Sequence, residues 1–284
     1  MKLKLVSVPY DSGIRGARMG AGPGHLIDRG LADHLRNLGS SVTFADISPP
    51  TSTVSAEIRL AFDLAKGISR AVRAASNEAS LPIVLSGNCN ASIGTIAGAR
   101  REDIAIIWFD AHGDYNTPET TVGGFLDGMA LATLTGRCWK ALAQQVEGFS
   151  PVSERDVVLV GVRDLDALEA DALTESAVTV LSPSATRESL GSALRAINNR
   201  GVRDAYVHID LDVLDPSEGS ANSFAAAGGI TLPEVRAALI EIGNHFNIRA
   251  AGITAYDPSF DTDGRVQRAA FELIGAVAEA ARPE

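Results

Sequence analysis

The chain has 284 residues, 45% of them hydrophobic and 21% charged, with a net charge of −10. That length is enough to bury a large core, and the composition is ordinary for a globular enzyme. The acidic balance, without any basic run, argues against nucleic acid or an anionic membrane surface as a partner, since both need basic patches.

The start of the chain, Met1-Lys2-Leu3-Lys4-Leu5-Val6 followed by Pro9 and Asp11, does not read as a signal peptide. No stretch approaches the ~18 apolar residues needed to span a bilayer. Cys89 and Cys138 are the two cysteines and offer no disulfide framework. A cytoplasmic location is expected.

In chain order, apolar runs predict strands over 3–8, 42–45, 83–85, 104–109, 157–162, 178–181, 205–209 and 250–254. Helical patterns fall between most of them, over 56–76, 91–99, 165–173, 188–197 and 232–242, and a last helix covers 266–281. Strands alternating with amphipathic helices imply βαβ units and a mainly parallel sheet covered on both faces. Near-continuous apolar strands agree, because such sheets are buried on both sides. The expected class is α/β: one three-layer αβα domain over 1–284 with about eight strands. No linker, repeat or low-complexity segment divides it.

Two short segments carry the chemistry. Asp110-Ala111-His112-Gly113-Asp114 and Asp210-Leu211-Asp212 each come directly after a predicted strand. Alternate side chains of an extended chain share a face, so Asp110, His112 and Asp114 converge from one strand end and Asp210 with Asp212 from another. Four crowded carboxylates repel by roughly 4 kcal/mol per pair about 4 Å apart at an effective dielectric near 20. Some must protonate or cations must sit among them. Carboxylates with an imidazole suit divalent metals such as manganese. A lone Asp-x-Asp after a strand is ordinarily a turn former. Two such motifs at the carboxyl ends of parallel strands, where open α/β sheets bind ligands, point to a two-metal hydrolytic site. The long loops that follow, 114–125 and 215–229, are the natural walls of that site.

Together these motifs resemble the ureohydrolase family, that is, arginase, agmatinase and their relatives. Beside the two aspartate motifs, the opening segment PYDSGIRGARMGAGPG and Leu85-Ser86-Gly87-Asn88-Cys89-Asn90, where the family writes L-G-G-D-H-S, extend the likeness over nearly the whole chain. The resemblance implies two manganese ions per chain, bridged by Asp110 and Asp210. His112 and Asp212 complete one ion, and Asp114 and Cys89 the other. It implies hydrolysis of a guanidino or amidino carbon, with Asp114 orienting the attacking water. Asn116 and Thr121 fall where arginases hold the substrate α-carboxylate, and Asp166 where they hold its α-amino group. Members are often oligomers, which leaves a homo-oligomer open here.

Three positions depart from the family pattern. Cys89 replaces a histidine ligand and brings a softer donor. Asp127 stands where arginases carry a proton-shuttling histidine; a carboxylate of raised pKa serves that role, and a helix cap is the other account. Ala255 replaces the glutamate that grips the guanidinium. Gly123 and Phe125 also replace polar partners. The cysteine-bearing first motif is similar to an arginase-like branch that hydrolyses Nω-hydroxy-L-arginine to hydroxyurea and ornithine. The expected substrate is therefore arginine-like, L-arginine or its Nω-hydroxy derivative. Agmatine, guanidinobutyrate or formiminoglutamate are the alternatives, and so is a catalytically silent metal-binding protein. Gly20-Ala21-Gly22-Pro23-Gly24 has the wrong spacing for a dinucleotide fingerprint, and no G-x-S-x-G elbow exists.

Overall fold

The protein is described by a computed structural model over residues 1–49, 56–100 and 103–282. The strands are β1 (Lys2–Val8), β2 (Tyr10–Asp11), β3 (Ile14–Arg15), β4 (Ser41–Asp46), β5 (Leu81–Ser86), β6 (Ile104–Phe109), β7 (Val157–Val160), β8 (Thr179–Leu181), β9 (Asp204–Asp210) and β10 (Asn247–Thr254). All but the β2–β3 hairpin form one sheet in the order β4-β1-β5-β10-β9-β6-β7-β8. Every pairing within it is parallel. The eight expected strands all lie in this sheet, which makes the chain a single α/β domain.

The helices are α1 (Gly22–Asp28), α2 (Leu31–Asn37), α3 (Glu57–Asn77), α4 (Ala91–Ala99), α5 (Ala130–Leu134), α6 (Lys140–Ala143), α7 (Ala167–Glu175), α8 (Pro183–Asn198), α9 (Leu232–His245) and α10 (Arg265–Ala280). The period-2 pleat sends alternate strand residues to opposite faces. Leu5, Ile83, Val207 and Ile253 pack with Leu35 of α2, Leu194 of α8, Leu239 of α9 and Ile274 of α10. Val6, Val84, Ile106 and Tyr206 pack with Ile68 and Val72 of α3 and Ile96 of α4. Two separate cores on one sheet give the three layers.

Local differences from the expected boundaries have physical causes. α8 starts five residues before the predicted start at 188, because the Ser182 side chain accepts from Ala185 N and Pro183 takes the first turn. β7 ends at Val160 because Gly161, with φ of 95°, turns the chain away. α1 carries His25 and opens on Gly22-Pro23-Gly24, which places proline in the first turn, where no donor is lost.

α3 and α4 lie against one another through glycine. A Cβ at Gly98 would sit 2.5 Å from the Ser69 carbonyl oxygen and 2.8 Å from Val72 Cβ. Gly98→Ala should therefore destabilise by about 1–3 kcal/mol, the ordinary result of overpacking. Urea unfolding should show a lowered midpoint with an unchanged slope; an unchanged midpoint would show that the two helices separate freely.

Candidate active site

Sheet order builds the site. Asp110 directly follows β6 and Asp210 is the last residue of β9, and these strands are neighbours with Phe109 opposite Ile209. β5 and β10 continue the row, so the chain leaving β5 brings Cys89 to the same edge as Thr254 at the end of β10. The Cys89 thiol donates to Asp210 Oδ2 at 3.2 Å, and its Sγ lies 3.2 Å from Thr254 Oγ1.

Hydrogen bonds aim the carboxylates of Asp110, Asp210 and Asp212. Asp110 accepts from Trp108 Nε1 at 3.0 Å and from His112 N at 2.8 Å. His112 Nδ1 lies 3.2 Å from Asp110 Oδ1 and 3.5 Å from Asp212 Oδ2. Asp212 N donates to Asp210 Oδ1, while Asp212 itself accepts from Ala111 N and Asn222 Nδ2. Asp114 has φ of 48°, and its carbonyl accepts from Leu131 N and Ala132 N at the start of α5. Its Oδ2 is buried without a hydrogen-bond partner among the described residues. Cys89, Asp110 and His208 bring ligand atoms within 4.8 Å of one another, and Asp110, His112 and Asp212 form a second such group.

The electrostatics are those of charges lacking counter-ions. Burial first, then neighbouring carboxylates, push Asp114 and Asp210 well above the usual range. Burial raises Asp127 to about 7, although the Asn90 and Cys89 amides and the Asn88 side chain oppose the shift. Burial opposes charge on His112, but its Asp110 hydrogen bond and the nearby Asp212 and Asp164 charges outweigh this and lift it to about 9. In the metal-free chain the imidazolium is thus the cation among the aspartates. Burial also raises the Cys89 thiol, helped by Asp127 and Asp210.

These groups line a cleft of about 320 Å3. Cys89, His112, Asp114, Asp127, Asp210 and Asp212 face it, and Asp110 lies beneath, 1% exposed. Asn116, Thr121 and Asp166 are on its rim. Asn116 Nδ2 donates to Asp166 Oδ2 at 3.2 Å, and the Thr121 hydroxyl oxygen accepts from Gly124 N. Asp127 lies in a 3-10 turn before α5, where its two oxygens accept from Asn90 N and Asn88 Nδ2. It ties down the segment carrying Cys89 and does not cap its own helix. Asp166 is the residue before α7 but pairs with Asn116 in place of a helix amide. Cys138 is buried beside Thr133, away from the cleft, as expected of a core residue. The two long loops do wall the cleft. Phe125 of one and Phe224 of the other stack with ring centroids 5.7 Å apart at its mouth.

Three residues escaped the sequence reading. Asn222, 2% exposed, donates to both Asp212 Oδ2 and the Ala255 carbonyl. Arg163 donates to the carbonyls of Gly161, Asp212, Val213, Leu214 and Ala226, binding the second loop to the sheet edge. His208, fully buried, stacks on Trp108 at 3.5 Å between centroids. Its place two residues before Asp210 was a usable signal, since that spacing puts both on one face of the strand.

The model of the arginase family matches residues 1–278. The chain belongs to the arginase family. It is similar to the arginase of Glaciozyma antarctica, 30% identical over 253 residues that cover 81% of this chain and 73% of the relative. The arginase of Bacillus caldovelox is 27% identical, with 97% of each chain covered. Among solved structures, Bacillus cereus arginase superposes with a TM-score of 0.87 at 24% identity over 98% of each chain. Proclavaminate amidino hydrolase of Streptomyces clavuligerus gives 0.72 at 20% identity, over 99% of this chain and 91% of the other. At such identity these two likenesses establish the fold. Membership makes the protein a hydrolase of C–N bonds in guanidino compounds, from a family that typically binds a binuclear metal centre.

The donor set fits that centre: an unpartnered buried carboxylate oxygen, four crowded aspartates and an imidazole call for divalent cations. The metal-free chain should lose stability as pH rises. A carboxyl whose folded pKa is raised, like Asp127, favours the fold below about 4 and ceases to do so as pH rises to about 7. His112 adds stability that is complete below about 6.5 and gone above about 9. Asp110, whose pKa is lowered, works in the opposite sense, and only below about 4. Melting curves of chelator-treated protein should fall steadily from pH 5 to 9, and manganese should flatten the decline. Equal slopes with and without metal would show that no cation joins the cluster.

Proposed function

We propose that the chain hydrolyses an arginine-like substrate, L-arginine or Nω-hydroxy-L-arginine, to ornithine and urea or hydroxyurea. Two manganese ions per chain are the expected cofactor, held by Cys89, Asp110, His112, Asp114, Asp210 and Asp212. The observation that carries this reading is the convergence of these side chains at one sheet edge with Asp114 Oδ2 unpartnered. When bound, two such cations supply a water of lowered pKa and charge stabilisation for a tetrahedral intermediate.

The chain's own residues do the rest. Asp110 is fixed by Trp108 and the His112 amide, so its oxygens hold their direction without a ligand. Asp114 lines the cleft with its Oδ2 unpartnered, and its carboxylate accepts a proton from an attacking water. Asn116, Thr121 and Asp166 on the rim meet the amino-acid end of the substrate, and Asp127 protonates the departing amine. The small guanidino or amidino molecule is the sole partner this reading requires, with a homo-oligomer open.

Ala255 favours a second reading. It is buried, with φ of 60°, and brings no carboxylate to the cleft wall. A guanidino or formimino compound that needs no such grip, such as agmatine, guanidinobutyrate or formiminoglutamate, is the alternative substrate.

Turnover of arginine, hydroxyarginine, agmatine, guanidinobutyrate and formiminoglutamate by the manganese-loaded protein tests both. Activity confined to the first two supports the primary reading; activity confined to the others replaces it. For Asp127→Asn, kcat should fall about 10²- to 10⁴-fold at full metal occupancy if Asp127 moves the proton. Loss of metal with kcat per metal retained would make it only a support for the Cys89 segment.

A further inference from the structure

Behind Cys89 lies a row of buried polar groups that the proposed chemistry does not use. Tyr206, His208 and Thr254 are each 1% exposed or less. The Tyr206 hydroxyl lies 2.9 Å from His208 Nδ1, His208 Nε2 lies 3.1 Å from Thr254 Oγ1, and Thr254 Oγ1 lies 3.2 Å from Cys89 Sγ. The row is built into the sheet. Trp108 stacks on the His208 ring from β6 with an interplanar angle of 9°, and Gly252 of β10 lacks a side chain where a Cβ would overlap the Tyr206 hydroxyl.

Donor and acceptor counting gives the row a direction. A buried hydroxyl hydrogen needs an acceptor, and among the described residues Nδ1 of His208 is the group within reach of Tyr206. Nδ1 therefore accepts, and the imidazole carries its hydrogen on Nε2. Nε2 then donates to Thr254 Oγ1, so the threonine hydrogen must point elsewhere. The Ile209 carbonyl is 3.5 Å away, at the edge of hydrogen-bond range, whereas 3.2 Å is short for a contact to sulfur. The row thus ends with the Thr254 hydroxyl donating to Cys89 Sγ, and the thiol's own hydrogen is directed to Asp210 Oδ2. A sulfur that accepts on one side and faces carboxylates on the other is arranged as a ligand. Outer groups that orient a ligand in this way tune metal affinity.

We propose that Tyr206, His208 and Thr254 are positioning residues that hold the Cys89 sulfur as a ligand, and that this half of the centre takes a borderline divalent cation such as zinc, cobalt or ferrous iron in preference to manganese. The inference rests on the metal centre proposed above and deepens it. Thiolate donors select softer cations than the oxygen-rich group of Asp110, His112 and Asp212 does.

Cobalt(II) titration of the metal-free protein tests it, with absorption spectroscopy and calorimetry as readouts. The intact chain should bind two ions and show a sulfur-to-cobalt charge-transfer band that Cys89→Ser abolishes. Thr254→Val, similar in shape but without the donor, should shift the band to lower energy and weaken one cobalt position about 10- to 100-fold. Thr254→Ser should restore both, and Tyr206→Phe, which releases the direction of the row, should weaken the same position less. In competition, the intact chain should favour cobalt or zinc over manganese at one position, and Cys89→His should narrow that preference. A merely structural role would change the melting temperature of the metal-free protein while leaving band and affinity unmoved. Two bound cobalt ions without the band, or a Thr254→Val variant of unchanged band and affinity, would overturn the inference while sparing the centre. Absence of any cobalt or manganese binding would remove both.

Discussion

Mutual repulsion among buried aspartates is the constraint around which the rest of this molecule is arranged. Asp110, Asp114, Asp210 and Asp212 are all buried at one edge of the sheet. Among the described residues, no lysine or arginine lines the cleft they share. Arg163, the first arginine after β7, is taken up by five backbone carbonyls. A fold can hold such a cluster by fixing carboxylates from behind and leaving room for cations in front. Backbone amides of Ala111, His112 and Asp212, the Trp108 indole and the Asn222 amide do the first for Asp110, Asp210 and Asp212. The cleft does the second.

The parallel sheet is what makes this affordable in sequence. β5, β10, β9 and β6 are adjacent, yet widely separated along the chain, and each ends at the same edge. Each strand therefore contributes one to three functional residues at or just beyond its carboxyl end. The helices between them cover the two faces, and α7 also brings Glu169 to the cleft wall. The second long loop is held at its base by the Leu214–Ile230 bridge and by Asp215, whose carboxylate accepts from Ser217, Gly228 and Gly229. That leaves Asn222 free to touch Asp212 and Ala255 together.

Most of the architecture was legible because the sheet is buried on both sides and its strands are nearly pure apolar runs. The aspartate motifs were legible because charge placed directly after such a run has no structural excuse. The less visible parts share a different property: their neighbours come from elsewhere in the chain. Arg163 answers carbonyls some fifty residues away, and Asn222 meets Ala255 across thirty-three. His208 read as one more strand residue, because its partners Trp108, Tyr206 and Thr254 come from three strands. The role of Asp127 was open between cap and site, and its side chain, like that of Asp166, turns to a remote partner in place of a helix amide.

Three of the positions read as departures from the family pattern lie near one another. Cys89 follows β5, Asp127 is bonded to Asn88 and Asn90 on the same segment, and Ala255 follows β10. The β6 and β9 ends carry the two aspartate motifs, with Asp110, His112, Asp114, Asp210 and Asp212. A thiol, a buried carboxylate tied to its segment and an alanine without a carboxylate thus share the cleft wall beside them. Had the changes merely followed loss of function, nothing would have kept the remaining aspartates buried together, because each such charge weakens a metal-free fold. Their burial beside Cys89 is the arrangement on which the proposed preference for a softer cation on that side depends.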